Sequence, residues 1–133
     1  MKIFIDGENA IVGRIGSVAA KELLKGNEVV IFNAEKAVVS GRRETIMAKI
    51  ITNRQRGGTS RKGPKVSRLS DRLMKRMIRG MLPWDRQKGK DAFKRLKCYN
   101  SGVKTEEIKN AIKLDHRKPL KSMTIKQISE ALQ

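Results

Sequence analysis

Between Arg54 and Lys97 the chain carries 16 lysines and arginines against three acids, Asp71, Asp85 and Asp91, a net +13 of its formal +18. Cations at that density suit a polyanion. Each one that neutralises a phosphate also releases condensed counterions, and the release drives binding. A solvated charge run is the ordinary alternative. Two details speak against it. The stretch opens with small residues (Gly57, Gly58, Thr59, Ser60 and Gly63), then becomes an amphipathic pattern whose charged side has one sign. A helix that only solubilises mixes signs, because like charges three and four residues apart repel. The candidate phosphate ligands are Arg54, Arg56, Arg61, Lys62, Lys65 and Arg68 from the glycine-rich loop and Arg72, Lys75, Arg76 and Arg79 from the helix. Lys88, Lys90, Lys94 and Arg95 extend the set.

Other chemistry is thin. Cys98 and His116 each stand alone, so neither a disulfide framework nor a Cys/His zinc site can be built within one chain. No Ser, His and Asp set suggests a catalytic centre. Gly13-Arg14-Ile15-Gly16 sits where a dinucleotide-binding loop would, but it lacks the G-x-G-x-x-G spacing, and no Walker lysine motif occurs. Close packing of a helix on a sheet through small residues accounts for it better. No catalytic residue, metal, cofactor or small-molecule substrate is expected. The rival reading is a nucleotide-binding α/β enzyme with a phosphate site near Gly13 or Ser40. Arg42 and Arg43, at the start of a helix, are a further candidate phosphate contact, because the helix dipole disfavours cations there unless an anion joins them. Two arginines pointing into water explain the pair at least as well.

Aromatic residues make up 4% of the chain, with one Trp, one Tyr and three Phe. Readers of single strands stack bases on exposed rings, and little is left for that once the core has its share. The phosphates of a folded RNA fit better, recognised by shape and charge. The helix face at Arg72, Lys75, Arg76 and Arg79 also lacks the Asn, Gln or Ser of a base-reading DNA helix.

The elements holding these groups read as α/β. Ile3-Phe4-Ile5 is a strand closed by Asp6-Gly7; Ile11, Ile15, Val18, Ala19 and Leu23 recur at helical spacing up to Gly26-Asn27; Val29-Val30-Ile31-Phe32 is a buried strand. Ala37-Val38-Val39 is a further short strand, and Arg42 to Asn53 a second helix. Ser70 to Leu82 is a third helix, with Ser70 as N-cap, Leu73, Met74, Met77, Ile78, Met81 and Leu82 on one side, and Pro83 at its end. Gln87 to Lys90 reads as a loop leading a short helix from Asp91 to Leu96, then Lys97 to Tyr99 as the last strand. In the tail, Thr105-Glu106-Glu107 begins a helix with Ile108 and Ile112 on one side, Asp115 to Lys121 crosses in extended form, and Thr124 with Gln127 forms a capping box. At 133 residues this is one domain. With a pI near 10.6, nucleic acid leads the expected partners, ahead of acidic membranes and acidic proteins. The N-terminus lacks a signal-peptide pattern and no stretch approaches a membrane span, so a soluble, cytoplasmic protein is expected.

Several motifs in register resemble one family. Ile5-Asp6, Gly13-Arg14, Asn33-Ala34-Glu35-Lys36, Val38-Val39-Ser40-Gly41, Ile78-Arg79-Gly80-Met81-Leu82-Pro83, Gly89 and Leu96-Lys97-Cys98-Tyr99 are similar, in that order, to the large-subunit ribosomal proteins of the L-thirteen family. The chain resembles the archaeal form, since it opens directly on the first strand and lacks the insert that bacterial members carry before the second. Cys98 departs from the pattern by standing where a small aliphatic is usual. The resemblance implies a three-layer α/β single domain with a mainly parallel four-stranded sheet, carrying the basic loop-helix extension 54–97 inside an rRNA-binding domain 1–101. A helical or extended tail, 102–133, would pack on that domain or on a ribosomal neighbour. It further implies binding to large-subunit rRNA, neighbouring ribosomal proteins as partners, a part in early subunit assembly, a place in the cytoplasmic ribosome, and no catalytic activity.

Overall fold

The computed structural model describes residues 1–56, 66–102, 109–114 and 119–132. Arg61, Lys62 and Lys65 of the glycine-rich loop, the expected helix start at Thr105, and His116 lie outside the described residues. In chain order the elements are β1 (Lys2–Asp6), α1 (Val12–Leu24), β2 (Glu28–Phe32), a 3-10 turn (Ala34–Lys36), β3 (Val38–Ser40), α2 (Arg43–Gln55), α3 (Ser70–Arg79), α4 (Gln87–Lys94), β4 (Leu96–Cys98), β5 (Ile112–Lys113), β6 (Ser122–Thr124) and α5 (Ile125–Leu132). Four strands form one sheet in the order β4-β2-β1-β5, every pairing parallel. β3 and β6 form a separate antiparallel ribbon.

Register sorts the side chains. Ile3 pairs with Val29, Ile5 with Ile31, Val29 with Leu96 and Ile31 with Cys98, which puts all six on one face. That face is the core: Ile5, Val29, Ile31, Leu96 and Cys98 cluster there with Ile15, Ala19 and Leu23 of α1, Leu73, Met74 and Ile78 of α3, and Ala92 of α4. Burying an isoleucine such as Ile31 completely stabilises the fold by about 1.5–3 kcal/mol. The far face carries Lys2, Phe4, Val30, Phe32 and Lys97, of which Val30 and Phe32 are buried.

α1 forms where its spacing says, with Val12, Ile15, Gly16, Ala19, Ala20 and Leu23 buried. It stops at Gly26, whose φ of +98° favours glycine. There the Glu22 carboxylate accepts hydrogen bonds from Lys25 Nζ and Asn27 Nδ2, both at 2.9 Å. Those two donors, Lys25 first, hold its pKa below the usual carboxylate value. Gly16 faces Met81, where an added Cβ would lie 2.5 Å from the sulfur. The small residue therefore admits the end of the α3 segment against α1, and the expected helix-on-sheet contact is corrected to a helix-on-helix one.

Four further expectations change. Ser70 is a buried first residue of α3 and Leu69 is the N-cap, with no side-chain capping bond. α4 begins at Gln87 and not at Asp91; Gly89 is buried within it because its Cα packs directly on the Pro83 backbone. β4 is not the last strand, since β5 and β6 follow. Ile112 lies in β5, where it pairs with Ile5, and not on a helix. The expected capping box is present: Thr124 N–H donates to Gln127 Oε1 at 3.1 Å, and Gln127 N–H donates to Thr124 Oγ1 at 3.2 Å.

Candidate nucleic-acid interface

α3 owes its orientation to one apolar side. Leu73, Met74 and Ile78 are buried while Met77 is half-buried, so the opposite side must face out. On it Arg72 and Arg76 are exposed, and no ion pair among the described residues involves either. Lys75 and Arg79 are half-buried and lean on their own chain: Lys75 Nζ sits 5.3 Å from the centre of the Phe93 ring, and the Arg79 guanidinium 4.1 Å from that of Trp84. Trp84 and Phe93 meet edge to face, 5.2 Å between centres. Four side chains thus clamp α4 to α3, and Trp84 packs as expected. Of the four candidate phosphate ligands on this side, Arg72 and Arg76 are exposed, and Lys75 and Arg79 are half-buried against rings.

The remaining candidates divide likewise. Arg56, Arg68, Lys88 and Lys90 are exposed, and Lys94 is exposed beside Asp91 at 3.9 Å. Arg54 donates to the Leu132 carbonyl at 3.2 Å. Arg95 is half-buried, donating from Nη2 to the Leu23 carbonyl at 2.8 Å, with its Nε buried and without a partner among the described residues. It closes the C-terminal end of α1, which makes it a tie within the fold. The structure brings Arg56, just past the end of α2, and Arg76 of α3 onto one hollow of about 330 Å³ bordered by Asn53, Val66, Leu73 and Met77. Arg42 and Arg43 are exposed at the start of α2, where β3–β6 pairing carries Lys121 to the same wide hollow of about 660 Å³. Sequence reasoning did not select Lys121, and nothing local signals it, since the pairing spans some eighty residues. Arg86 and Lys97, also exposed, lay within the basic stretch but outside the selected set.

Two candidate sites for other chemistry, the end of β1 and Cys98, are occupied by the fold itself. In an open parallel sheet a ligand sits outside the carboxyl ends of the strands. Here Asp6, at the end of β1, accepts from Glu8 N–H at 3.0 Å and from Asn33 Nδ2 at 3.1 Å, and Gly7 lies against the Phe32 and Asn33 carbonyls. The chain's own polar groups satisfy one another there. Cys98 is buried on the core face, and burial, only partly offset by Lys75, pushes its thiol up to about 12, so it is not a nucleophile at neutral pH. Among the described residues no three of His, Cys, Asp and Glu are grouped to hold a metal.

Fold and surface together define a small parallel α/β domain with one strongly cationic side. The sequence model of the family described as Ribosomal protein L13 matches residues 1–105, and the chain belongs to that family, which is structural and not enzymatic. Its relatives include archaeal proteins named large ribosomal subunit protein uL13. That of Methanosarcina barkeri is 50% identical over 103 residues, covering 77% of this chain and 72% of that one. That of Picrophilus torridus is 38% identical over 133 residues, covering 98% and 96%. The protein of Methanopyrus kandleri is 45% identical over 95 residues, 71% of this chain, which spans 59% of that relative's length.

Proposed function

We propose that this protein is a structural constituent of the large ribosomal subunit, binding large-subunit rRNA through phosphate contacts, helping early subunit assembly and residing in the cytoplasmic ribosome. The observation that carries the reading is the outward side of α3 and α4, where Arg72, Arg76, Lys88 and Lys90 are exposed and in no ion pair among the described residues. Cations spaced this closely repel one another, and an RNA backbone removes that cost. Membership of a ribosomal family supplies the kind of RNA. Arg56 and Arg68 extend the footprint, and Arg61, Lys62 and Lys65 join it from the loop. Lys75, Arg79 and Arg54 contribute positive potential while holding the fold. Arg42 and Arg43, with Lys121, offer a second cluster for phosphates.

By neutralising crowded phosphates that keep RNA helices apart, the protein acts as a wedge and a glue, and neighbouring ribosomal proteins complete its surroundings. A membrane-surface role is disfavoured because Leu73, Met74 and Ile78, the centre of the apolar side of α3, are already buried in the core. No helix among the described residues is long and apolar enough to cross a membrane. The test is co-sedimentation of the native protein with large subunits through a high-salt wash; release into the free fraction under mild conditions would defeat the proposal.

A further inference from the structure

The far face of the sheet holds groups that the cationic side of α3 does not use. Lys97 of β4, Val30 of β2 and Phe4 of β1 stand in one row across three strands. Tyr99 follows on the same face as Lys97, its N–H donating to the Ile31 carbonyl at 2.8 Å so that the ring stays in register beside the sheet. These residues, with Lys2 and Ser101, border a hollow of about 270 Å³. Tyr99 is 47% exposed, whereas Phe32 is buried and Trp84 and Phe93 are spent on each other. Scarcity of aromatics argued against any stacking surface; folding nevertheless puts one unspent ring next to a half-buried one with a lysine on either side.

We infer that this hollow is a binding site for an unpaired nucleotide of RNA, its base stacked on Tyr99 and its phosphates held by Lys97 and Lys2. The inference rests on the rRNA reading and adds a second surface to it, across the sheet from α3. The chemistry selects the occupant. A base offers a π-face to an exposed ring whatever its identity, and the flanking phosphates need cations at the rim. Val30, only 3% exposed, gives an apolar floor, and the Ser101 hydroxyl, without a hydrogen bond among the described residues, can meet a sugar or a base edge. Among the described residues no acid borders the hollow. Glu28 is the register partner of Lys2 one row further out, and no ion pair among the described residues joins them, so Lys97 carries most of the charge complementarity. An apolar protein segment would leave two lysines to desolvate without a partner.

The test uses the full chain and deproteinised large-subunit rRNA. Tyr99→Leu is expected to lower affinity about 5- to 150-fold with the salt dependence unchanged, because a stacked base contributes no counterion release. Tyr99→Phe keeps the ring and is expected to bind like the wild type, which separates lost stacking from lost folding. Lys97→Gln is expected to lower the slope of log affinity against log salt by about 0.7–0.9. Ultraviolet cross-linking followed by mass spectrometry should place a nucleotide on the peptide that contains Tyr99. Wild-type binding that Tyr99→Leu matches would overturn the sheet-face site alone. A wild-type chain that binds no rRNA would overturn the broader proposal, and this one with it.

Discussion

Replacing Arg72 and Arg76 together by glutamine removes two cations without touching the buried side of α3. Both are exposed and in no ion pair among the described residues, so the folded chain loses only repulsion. The size of the effect follows from the exposed footprint. Arg56, Arg68, Arg72, Arg76, Lys88 and Lys90 are six ligands proposed around α3 and α4 that are exposed and whose side chains make neither a hydrogen bond nor an ion pair among the described residues. At about 0.7–0.9 per phosphate contact they give a slope of about −4 to −5, and an affinity that falls close to a thousandfold between 50 and 200 mM salt. The double variant should flatten that slope by about 1.4–1.8 while its thermal melt stays at or slightly above the wild-type value. Filter binding or fluorescence anisotropy across a salt series reads the slope, and calorimetry reads the melt. Arg95→Gln is the matched control: it removes the bond to the Leu23 carbonyl, costs about 1–2 kcal/mol of stability and leaves the slope alone. If the double variant keeps the wild-type slope, or Arg95→Gln flattens it as much, the division between RNA-facing and fold-holding cations is wrong.

Two further outcomes test the fold beneath that surface. Gly89→Ala places a methyl group into the Pro83 backbone and should destabilise by about 3 kcal/mol or more in urea titration, whereas Gly13→Ala, whose Cβ meets nothing within 4 Å, should be neutral or gain about 0.5–1 kcal/mol from helix propensity. Cys98 should resist alkylation in the native protein at pH 8 and react once urea unfolds it. With its thiol raised from 9.0 to about 12 in the folded state, its contribution to stability is fully present below pH 9 and is lost as pH rises towards 12, which an alkaline series of melts on the wild type and Cys98→Ala would show.

Local rules made β1, α1 and β2 readable, because periodicity and the Gly26 stop act within a few residues. They failed where a distant partner decides. Ile112 shares helical spacing with Ile108, yet two residues of strand form there because β1 offers an open edge. Gly89 looks like a loop marker by ordinary glycine behaviour, and lies inside α4 because the Pro83 backbone excludes any side chain. Ser70 has the right chemistry for a cap but is turned inward, one residue past the position that caps. The candidate interface was legible as a charge density and as a helix face. That Lys75 and Arg79 rest on Phe93 and Trp84 was not, since nothing in the spacing of those rings announces the contact.

Arg54 and Arg68, the first and last cations of the glycine-rich loop, are both held by the chain's last segment. α5 packs Ile125 and Ile128 into the same core as Leu73 and Met74, and Ser129 donates its hydroxyl to the Arg68 carbonyl just before α3 begins. Arg54, where α2 runs out, donates to the Leu132 carbonyl at the end of α5. The capping box at Thr124 and Gln127 starts α5 where the β3–β6 ribbon ends, so the brace is anchored on the body of the domain. On the proposed function, a cationic helix fixed in this way would meet RNA with its orientation already set, and less of the counterion-release energy would go into ordering the protein. Loosening α5 should therefore weaken RNA binding with the salt slope intact, the reverse of what removing an arginine from α3 does.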